Sequence, residues 1–272
     1  MINKETVKRR LESGISYTEF SYMILQSLDF LHLYETKHCT LQLGGQDQWG
    51  NITSGLELIR KKHGADVECY GLTMPLITKA DGTKFGKTES GTVWLDPKKT
   101  SPYEMYQFLV NAEDAKVVEY LKRLTFLDKE EIERLEECVK NEPHLREAQK
   151  VLGREVVTYL HGSDAYETAL KITNALFRGN IRELSADEQR DALSSMEKVQ
   201  VSEAMDLAST LVSAKIASSK REAREWIKSG SIQINGEKVQ DETRVIDASS
   251  ALVDDMILIK RGKRNYYVLT FA

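Results

Sequence analysis

Apolar and polar residues follow two different periods along the first hundred residues of the chain. The segments TEFSYMILQSLDFLHLY (18–34) and NITSGLELIRKKHG (51–64) carry apolar residues at helical spacing. Two short apolar runs, CTLQLGG (39–45) and VECYGLTMPLI (67–77), end in glycines or a polar loop, as strands do. Helices and strands that alternate in this way predict an α/β sheet with crossover helices over residues 1–100.

The pattern becomes helical from SPYEMYQFLV through FRGN, residues 101–180. Ser101 and Pro102 are typical of an N-cap and a first helical turn, and Asp128 with Glu131 predicts a capping box. We therefore expect an α-helical domain at residues 101–185.

The last third of the chain predicts a polar linker and a small α+β domain. The linker is expected at residues 186–204 and the domain at 205–272. The domain begins with two short helices, and the segments SIQINGEKV and MILIKRGKRNYYVLTFA then alternate as strands do. The dipeptide Asn235-Gly236 is a strong hairpin signal between two of these strands.

Composition narrows the class of protein. The 272 residues are 41% hydrophobic and 29% charged, which is enough to bury a sizeable core in two or three domains. The three cysteines are too few and too scattered for a disulfide framework or a zinc cluster, so reduced thiols in a cytoplasmic protein are expected. The first residues are charged and lack an apolar core, and no later run is apolar enough to span a membrane, which argues against secretion and membrane insertion.

Charge is spread unevenly along the chain. The net charge of −4 argues against nonspecific coating of nucleic acid, yet residues 201–272 carry 11 lysines and arginines against 10 acidic residues. The basic residues fall in two clusters, which fit either a phosphate-contacting patch or two solvated charge runs. The clusters are Lys220, Arg221, Arg224 and Lys228, and Lys260, Arg261, Lys263 and Arg264.

A first candidate site lies on the helix predicted at residues 18–34. Tyr22, Gln26 and Asp29 have the spacing i, i+4 and i+7, which puts three hydrogen-bonding side chains on one face. That face suits a small polar ligand, but the spacing alone is more typical of an amphipathic helix whose polar side meets water.

A second candidate site follows the first predicted strand, in GGQDQWGN (44–51). Ligands of open α/β sheets bind at the carboxyl ends of strands, and glycine allows a close approach of the backbone. Asp47 could accept hydrogen bonds from ribose hydroxyls, and Gln48 could orient a carboxylate or phosphate. A polar turn with a purely structural role is the alternative.

A third candidate site is the loop KADGTKFGKT (79–88), in which three lysines are separated by glycines. Lys84 and Lys87 on such a loop can reach the phosphates of a nucleotide and neutralise charge that develops as pyrophosphate leaves. The spacing does not fit a Walker loop. A flexible basic surface loop is the alternative interpretation.

These motifs together resemble the bacterial tyrosyl-tRNA synthetase family of class I aminoacyl-tRNA synthetases. KFGKT resembles the family's Lys-Met-Ser-Lys-Ser loop, GGQDQWGN its ribose and substrate motif, and TEFSYMILQSLDF its tyrosine-pocket helix, in the family's order. The end of the chain, from DLASTLVSAKIASSKREAR onward, is similar to the family's small RNA-binding domain, although Lys215 stands where glycine is usual. The resemblance implies the second half of a Rossmann-like catalytic domain, then an α-helical anticodon-binding domain and an α+β RNA-binding domain.

The resemblance also implies ligands and residue roles. Tyrosine, ATP with Mg²⁺ and the tyrosine tRNA are the expected substrates, no tightly bound cofactor is expected, and the family is homodimeric. The tyrosine amino group would be held by Tyr22 and Gln26, and the phenolic hydroxyl by Asp29. The remaining implied contacts are Gln48 near the tyrosine carboxylate, Gly45 and Asp47 at the ribose, Lys84, Lys87 and Thr88 at the pyrophosphate, and Lys220, Arg221 and Arg224 at the tRNA backbone.

One family feature is absent from the sequence. The His-x-Gly-His-type signature that cradles ATP is formed by none of the five histidines, so we expect the first part of the catalytic fold to be missing and the chain to be inactive alone. A non-catalytic tRNA-binding remnant of such an enzyme is the alternative, although it has no need of the pocket motifs. The related tryptophanyl enzymes are disfavoured by Asp29 and by the RNA-binding tail.

Overall fold

The fold is described by a computed structural model that covers residues 14, 16–88, 91–194, 196–201, 203–262 and 265–271. The charged N-terminal segment and the pair Lys263 and Arg264 lie outside these residues. The chain forms two compact units, one ending at Phe85 and the other beginning at Gly86. None of the helices in the described ranges is long and apolar enough to cross a bilayer.

The first unit is a pair of parallel strands packed on helices. Helix α1 spans Tyr17–Lys37, β1 Leu41–Gly45, α2 Trp49–His63 and β2 Tyr70–Met74. Strands β1 and β2 pair in parallel, which confirms the α/β pattern with a crossover helix between the strands.

Glycines allow the close packing of this first unit. A Cβ atom at Gly71 would come within 2.5 Å of the Ile52 side chain, and one at Gly55 within 2.8 Å of Phe30. Strand β2 therefore lies close to helix α2, and α2 lies close to α1. Their contact surfaces bury Phe30, Leu31, Ile52, Leu56, Ile59 and Cys69.

Among the described residues, the first part of the second unit contains a two-stranded ribbon and six α-helices. Strands β3 (Lys87–Thr88) and β4 (Gly91–Thr92) pair in antiparallel fashion. The helices that follow are α3 Pro102–Val110, α4 Asp114–Leu124, α5 Lys129–Asn141, α6 Glu147–His161, α7 Ser163–Arg178 and α8 Ala186–Ser194. The helical pattern predicted from residue 101 onward is confirmed.

Two helix starts test the capping predictions. Ser101 accepts from the Glu104 amide while the Glu104 carboxylate accepts from the Ser101 amide, which completes a capping box. Asp128 likewise accepts from the Glu131 amide. The Glu131 carboxylate is instead paired with Arg134 at 2.7 Å, so an ion pair stands where the second half of the predicted capping box was expected.

The C-terminal part of the second unit, which we call the C-terminal module, is a sheet packed on two short helices. Its elements are β5 Lys198–Val201, β6 Met205–Asp206, α9 Leu207–Ser213, α10 Lys220–Lys228, β7 Ile232–Ile234, β8 Glu237–Lys238, β9 Val245–Ile246, β10 Met256–Arg261 and β11 Asn265–Phe271. The main sheet has the order β5-β11-β10-β7-β8, and β6 pairs with β9. Asn235 and Gly236 both have positive φ, at 51° and 87°, in the turn between β7 and β8, which confirms the predicted hairpin.

The segment predicted as a linker at residues 186–204 contains regular structure. Helix α8 occupies its first half, and β5 in its second half pairs in parallel with β11. Residues 198–201 are thereby part of the main sheet of the C-terminal module. The predicted domain boundaries at residues 100, 185 and 204 remain predictions.

Lys215 occupies the turn between α9 and α10 in the left-handed region, with φ of 55°. The amides of Ile216 and Ala217 both donate to the Leu211 carbonyl at 3.0 Å, so this residue follows the C-cap of α9. A side chain in this conformation costs about 1–2 kcal/mol relative to glycine. Lys215 therefore replaces the family's usual glycine at a position whose backbone conformation favours glycine.

Lys215→Gly is expected to raise the free energy of unfolding by about 1 kcal/mol, because it relieves the left-handed strain without removing a buried group. Urea unfolding of the full chain measures this change. Lys215→Ala is the matched control, since it removes the same charge but keeps the Cβ atom. An equal gain from both variants would assign the effect to charge and not to the backbone.

Candidate functional site

The polar face of α1 is held in place by the opposite face of the same helix. Ser27, Phe30 and Leu31 are buried, whereas Tyr22 and Asp29 are exposed. Gln26 is partly buried, and its Oε1 atom is shielded from solvent without a hydrogen-bond partner among the described residues. An unpaired buried amide oxygen is costly, so this atom is suited to a donor supplied by a ligand.

Strand β1 ends in a 3₁₀ turn, Gln46–Gln48, that leads directly into α2. A Cβ atom at Gly45 would lie 2.7 Å from the Asp47 carboxylate and 2.9 Å from Leu76, which explains the need for glycine there. The side-chain amide of Asn51 donates through Nδ2 to Gln48 Oε1 at 3.0 Å and fixes the direction of the Gln48 side chain. The carboxyl end of β1 therefore presents a glycine backbone, one carboxylate and one oriented amide side by side.

The loop at residues 79–88, which we call the lysine loop, reaches the same end of β1. Lys84 Nζ lies 3.1 Å from Asp47 Oδ2, although the two residues are 37 positions apart in the chain. The hydrogen bond from Lys84 holds the pKa of the Asp47 carboxyl below its usual value, with a smaller Coulombic contribution from the same ammonium. Two of the sequence-predicted sites are thereby brought together by a direct contact.

The loop has a defined hairpin shape. Thr78 and Lys84 form an antiparallel bridge, and the Phe85 amide donates to the Ile77 carbonyl at 3.0 Å. At its tip the Asp81 carboxylate accepts from both the amide and the hydroxyl of Thr83, and Gly82 follows in the left-handed region with φ of 82°. The Lys84 side chain is exposed, so the ammonium can exchange Asp47 for another anion without unfolding the hairpin.

For Lys87 and Thr88 the structure describes the backbone, which forms β3 and pairs with Thr92 and Gly91 of β4. Their side chains lie outside what is described, so their predicted contacts with pyrophosphate stay predictions. Gly86, just before β3, has φ of 84° and supplies the sharp change of direction.

Gln42 was missed by the sequence reasoning. It is a partly buried amide at the second position of β1, flanked by Leu41 and Leu43, and its Oε1 atom is shielded without a hydrogen-bond partner among the described residues. The available signal was a glutamine between two leucines in a short apolar strand. Gln42 and Gln26 share this property of an unsatisfied shielded oxygen, which makes Gln42 a further candidate for ligand binding.

A basic surface lies on α10 in the second unit. Lys220, Arg221, Arg224 and Lys228 are exposed, while Ala223 and Ile227 of the same helix are buried in the core of the C-terminal module. Arg224 Nε lies 3.5 Å from Glu242 Oε2, and Arg221 Nε lies 3.3 Å from Glu225 Oε1. Exposed pairs of this kind are weak and can give way to phosphate.

Two residues of the second basic cluster, Lys260 and Arg261, lie within the described residues. Lys260 is buried, so neither a phosphate-contacting role nor a solvated charge run describes it. Arg261 donates to the Ile216 carbonyl and lies 4.5 Å from the Trp226 ring centroid. Both residues are engaged within the protein because β10 is an interior strand of the sheet.

An open cavity of about 590 Å³ lies within the second unit. Its lining combines aromatic rings with amides and a guanidinium, including Tyr103, Gln107, Asn111, Arg146, Phe177 and Tyr266. Arg146 donates to the carbonyls of Val110 and Ala112, which fixes the turn that carries Asn111. Within the described parts of the chain, no group of three or more His, Cys, Asp or Glu side chains is placed to hold a metal ion.

Comparison with known proteins places the chain among the tRNA synthetases. Residues 1–178 match the profile of class I tRNA synthetases (W and Y), and residues 188–269 match the tyrosine–tRNA ligase SYY-like C-terminal domain. The tyrosine–tRNA ligase of Bacillus pumilus is 53% identical over the whole chain, and that of Staphylococcus carnosus is 51% identical. The chain spans 65% and 64% of the length of these two relatives.

A solved structure is also similar. The C-terminally truncated mitochondrial tyrosyl-tRNA synthetase of Coccidioides posadasii is 37% identical, with a TM-score of 0.51 over 62% of this chain and 49% of that one. The predicted fold class is confirmed, with a class I catalytic region followed by helices and a C-terminal module. This chain belongs to the tyrosyl-tRNA synthetase family of class I tRNA synthetases.

Proposed function

We propose that the chain is the larger part of a tyrosine–tRNA ligase. The enzyme joins the tyrosine carboxylate to the α-phosphate of ATP with loss of pyrophosphate, and then transfers the tyrosyl group to the terminal ribose of its tRNA with release of AMP. The observation that carries the proposal is the contact between Asp47 and Lys84, which puts a carboxylate suited to ribose hydroxyls beside an ammonium suited to phosphate. No covalent enzyme intermediate is needed, because positioning and electrostatics supply the catalysis.

The tyrosine substrate is assigned to the polar face of α1. The shielded Gln26 oxygen and the Tyr22 hydroxyl accept from the amino group, and Asp29 accepts from the phenolic hydroxyl. Gln48, oriented by Asn51, lies at the tyrosine carboxylate and the α-phosphate. This arrangement is supported by the unsatisfied Gln26 oxygen, since a buried acceptor needs a donor.

ATP is assigned to the end of β1 and the lysine loop, with Mg²⁺ as its counterion and no tightly bound cofactor. Gly45 and Asp47 contact the ribose of the adenylate, while Lys84, Lys87 and Thr88 stabilise the pyrophosphate. Binding therefore requires Lys84 to exchange the Asp47 carboxylate for phosphate, a change that the exposed ammonium and the glycines of the loop allow.

The tRNA is assigned to the second unit. Lys220, Arg221 and Arg224 contact its backbone through the exposed face of α10, which gives affinity and not sequence identity. The cavity lined by Asn111, Phe177 and other residues has the rings and amides that recognise unstacked bases, which suits the anticodon loop. A cytoplasmic homodimer is the form in which we expect the complete enzyme to act.

A non-catalytic tRNA-binding protein is the competing proposal. It would keep the basic face of α10 and the cavity, but it would place no constraint on the pocket residues. The combination of Tyr22, Gln26 and Asp29 on one helix with Asp47 and Lys84 in contact favours the enzyme.

One face of the parallel sheet formed by β1 and β2 is exposed. This exposure bears on whether these 272 residues can be active alone. The Gly71 position of β2 faces α2, since a Cβ atom there would meet Ile52, whereas alternate residues of β1 and β2 on the other face are exposed. Parallel sheets are normally covered on both faces, so the part of the relatives that this chain does not match is expected to pack there in the complete enzyme. The exposed residues are Leu41, Leu43, Tyr70, Leu72 and Met74.

The test uses the 272-residue chain and a chimera in which the unmatched part of the Bacillus pumilus relative is joined to it, which we call the completed chimera. Tyrosine-dependent ATP–pyrophosphate exchange is expected from the completed chimera and not from the chain alone. Aminoacylation of tyrosine tRNA by the chimera confirms the second step. A chimera that binds tyrosine tRNA without any exchange activity would support the non-catalytic alternative.

A further inference from the structure

The centre of the main sheet of the C-terminal module, in β10 and the adjoining part of β11, is buried on both faces. Alternate residues of a strand point to opposite faces, and Ile257 and Ile259 of β10 belong to the core that packs on α9 and α10. The residues between them, Leu258 and Lys260, point the other way, yet they are only 3% and 7% exposed. Val268 of β11 pairs with Leu258 and is fully buried. Something outside the module's own core therefore covers this second face.

The cover is the end of α7 and the segment that follows it. Lys260 Nζ donates to the carbonyls of Leu176 and Phe177 at 3.2 and 3.3 Å. Tyr266, the cross-strand partner of Lys260, donates its hydroxyl to the same Leu176 carbonyl at 3.2 Å, and its ring centroid lies 5.0 Å from the Lys260 ammonium. These contacts join a strand of the module to the last turn of a helix about 80 residues earlier.

Two further contacts extend the same interface. A Cβ atom at Gly236 would overlap the Gly179 carbonyl oxygen, so the two backbones are in direct contact. At the periphery, Arg190 forms a bidentate pair with Asp254 at 2.9 and 3.0 Å. The interface thus has a charged group at its centre and an exposed ion pair at its edge.

The chemistry at the centre is complementary. The last carbonyls of a helix lack amide partners within the helix and carry its partial negative charge. At the end of α7 the amides of Gly179 and Asn180 both donate to Ala175, so the carbonyls of Leu176 and Phe177 accept from outside the helix. A buried ammonium is costly unless it is fully paired, and here those carbonyls and an aromatic ring surround it. Within the interface the Lys260 ammonium and the carbonyls at the end of α7 therefore satisfy each other.

We propose that Lys260 is a positioning residue that locks the C-terminal module to the helical part of the chain. The lock fixes α10, on the opposite side of the sheet, relative to the helices that line the cavity. Both surfaces can then engage one tRNA at once, which raises affinity because the second contact becomes intramolecular. This rests on the proposed function insofar as the second unit binds tRNA, but the lock itself is a property of the protein alone.

The first measurement needs no RNA. In the full 272-residue chain, Lys260→Met keeps the length and apolar body of the side chain but removes the ammonium. Amide hydrogen exchange is expected to rise at least about tenfold at the end of α7 and at Gly179–Leu184, while the amides of α9 and α10 stay protected. Unchanged exchange at the end of α7 would overturn the proposal.

The second measurement separates positioning from phosphate contact. Tyrosine tRNA binding is titrated at several salt concentrations, at a temperature where circular dichroism shows each variant folded. Lys260→Met is expected to weaken binding by about tenfold or more, although Lys260 touches no phosphate. The matched control Arg221→Ala, on the exposed face of α10, is expected to reduce the salt slope by about one and to leave the exchange pattern unchanged.

The two measurements together distinguish a lock at Lys260 from a direct contact between Lys260 and phosphate. A Lys260→Met variant with normal exchange and a salt slope reduced by about one would make Lys260 a phosphate ligand and refute the lock. Absence of tRNA binding by the unsubstituted chain would refute the assignment of tRNA to the second unit and leave the exchange result to decide the lock. If Lys260→Met does not fold, Tyr266→Phe removes only the hydroxyl donor to Leu176, and increased exchange at the end of α7 is again the expected result.

Discussion

Asp29→Ala in the completed chimera is expected to abolish discrimination between tyrosine and phenylalanine in the activation step. A site built to accept a hydrogen bond from a hydroxyl leaves a polar group unpaired when the substrate lacks that hydroxyl, and the penalty falls on the wrong substrate alone. Tyrosyl enzymes are themselves the established example, with a preference of about 10⁵, so the magnitude comes from the family and not from this structure. Removal of the acceptor is therefore expected to reduce the ratio of the two kcat/KM values by several orders of magnitude.

The measurement is ATP–pyrophosphate exchange with each amino acid, from which kcat/KM is obtained for both. His32→Ala is the matched control, since His32 is exposed one turn further along α1 and has no assigned contact with substrate. The control is expected to keep the preference for tyrosine. A preference for tyrosine that survives in Asp29→Ala would remove Asp29 from the pocket, and the phenolic hydroxyl would then need another partner.

Element positions in the first unit could be predicted because each helix and strand has a clean period. Helix α1 covers the whole predicted segment, and β1 and β2 fall inside the predicted runs. The exchangeable contact between Asp47 and Lys84 could not be predicted. These residues are 37 positions apart, and only the tertiary fold brings them together. The sequence identified both residues as candidates but did not show that they meet.

One physical cause of error is that sequence charge was taken as a sign of exposure. Lys260 belongs to a basic cluster in the sequence, but β10 is apolar on both faces, in the run Met256–Ile259, and such a run is typical of a strand that is buried on both sides. Gln42 was overlooked for the opposite reason, since a single amide in an apolar strand adds little to a pattern. Its significance comes from the shielded, unpaired oxygen, which only coordinates reveal.

Lys84→Ala in the completed chimera is expected to slow tyrosine activation by about 10²–10³ in kcat, with little change in the affinity for tyrosine. The ammonium is assigned to the pyrophosphate, where negative charge increases as the bond to the α-phosphate breaks. A contact that strengthens in the transition state affects kcat, whereas the tyrosine contacts lie on α1. Lys87→Ala is expected to behave in the same way, and the double variant is expected to lose less than the product of the two effects if both lysines act on one leaving group.

Lys79→Ala is the matched control for Lys84→Ala, because Lys79 lies in the same hairpin but its backbone amide, not its side chain, closes the turn with Thr83. Pre-steady-state formation of tyrosyl-adenylate measures the chemical step, and equilibrium dialysis measures tyrosine binding. The Thr78 bridge to Lys84 uses backbone atoms, so alanine keeps the hairpin and the comparison isolates the ammonium. A Lys84→Ala variant with normal adenylate formation would show that the contact with Asp47 is only a surface ion pair, and the main support for the proposed ATP site would be lost.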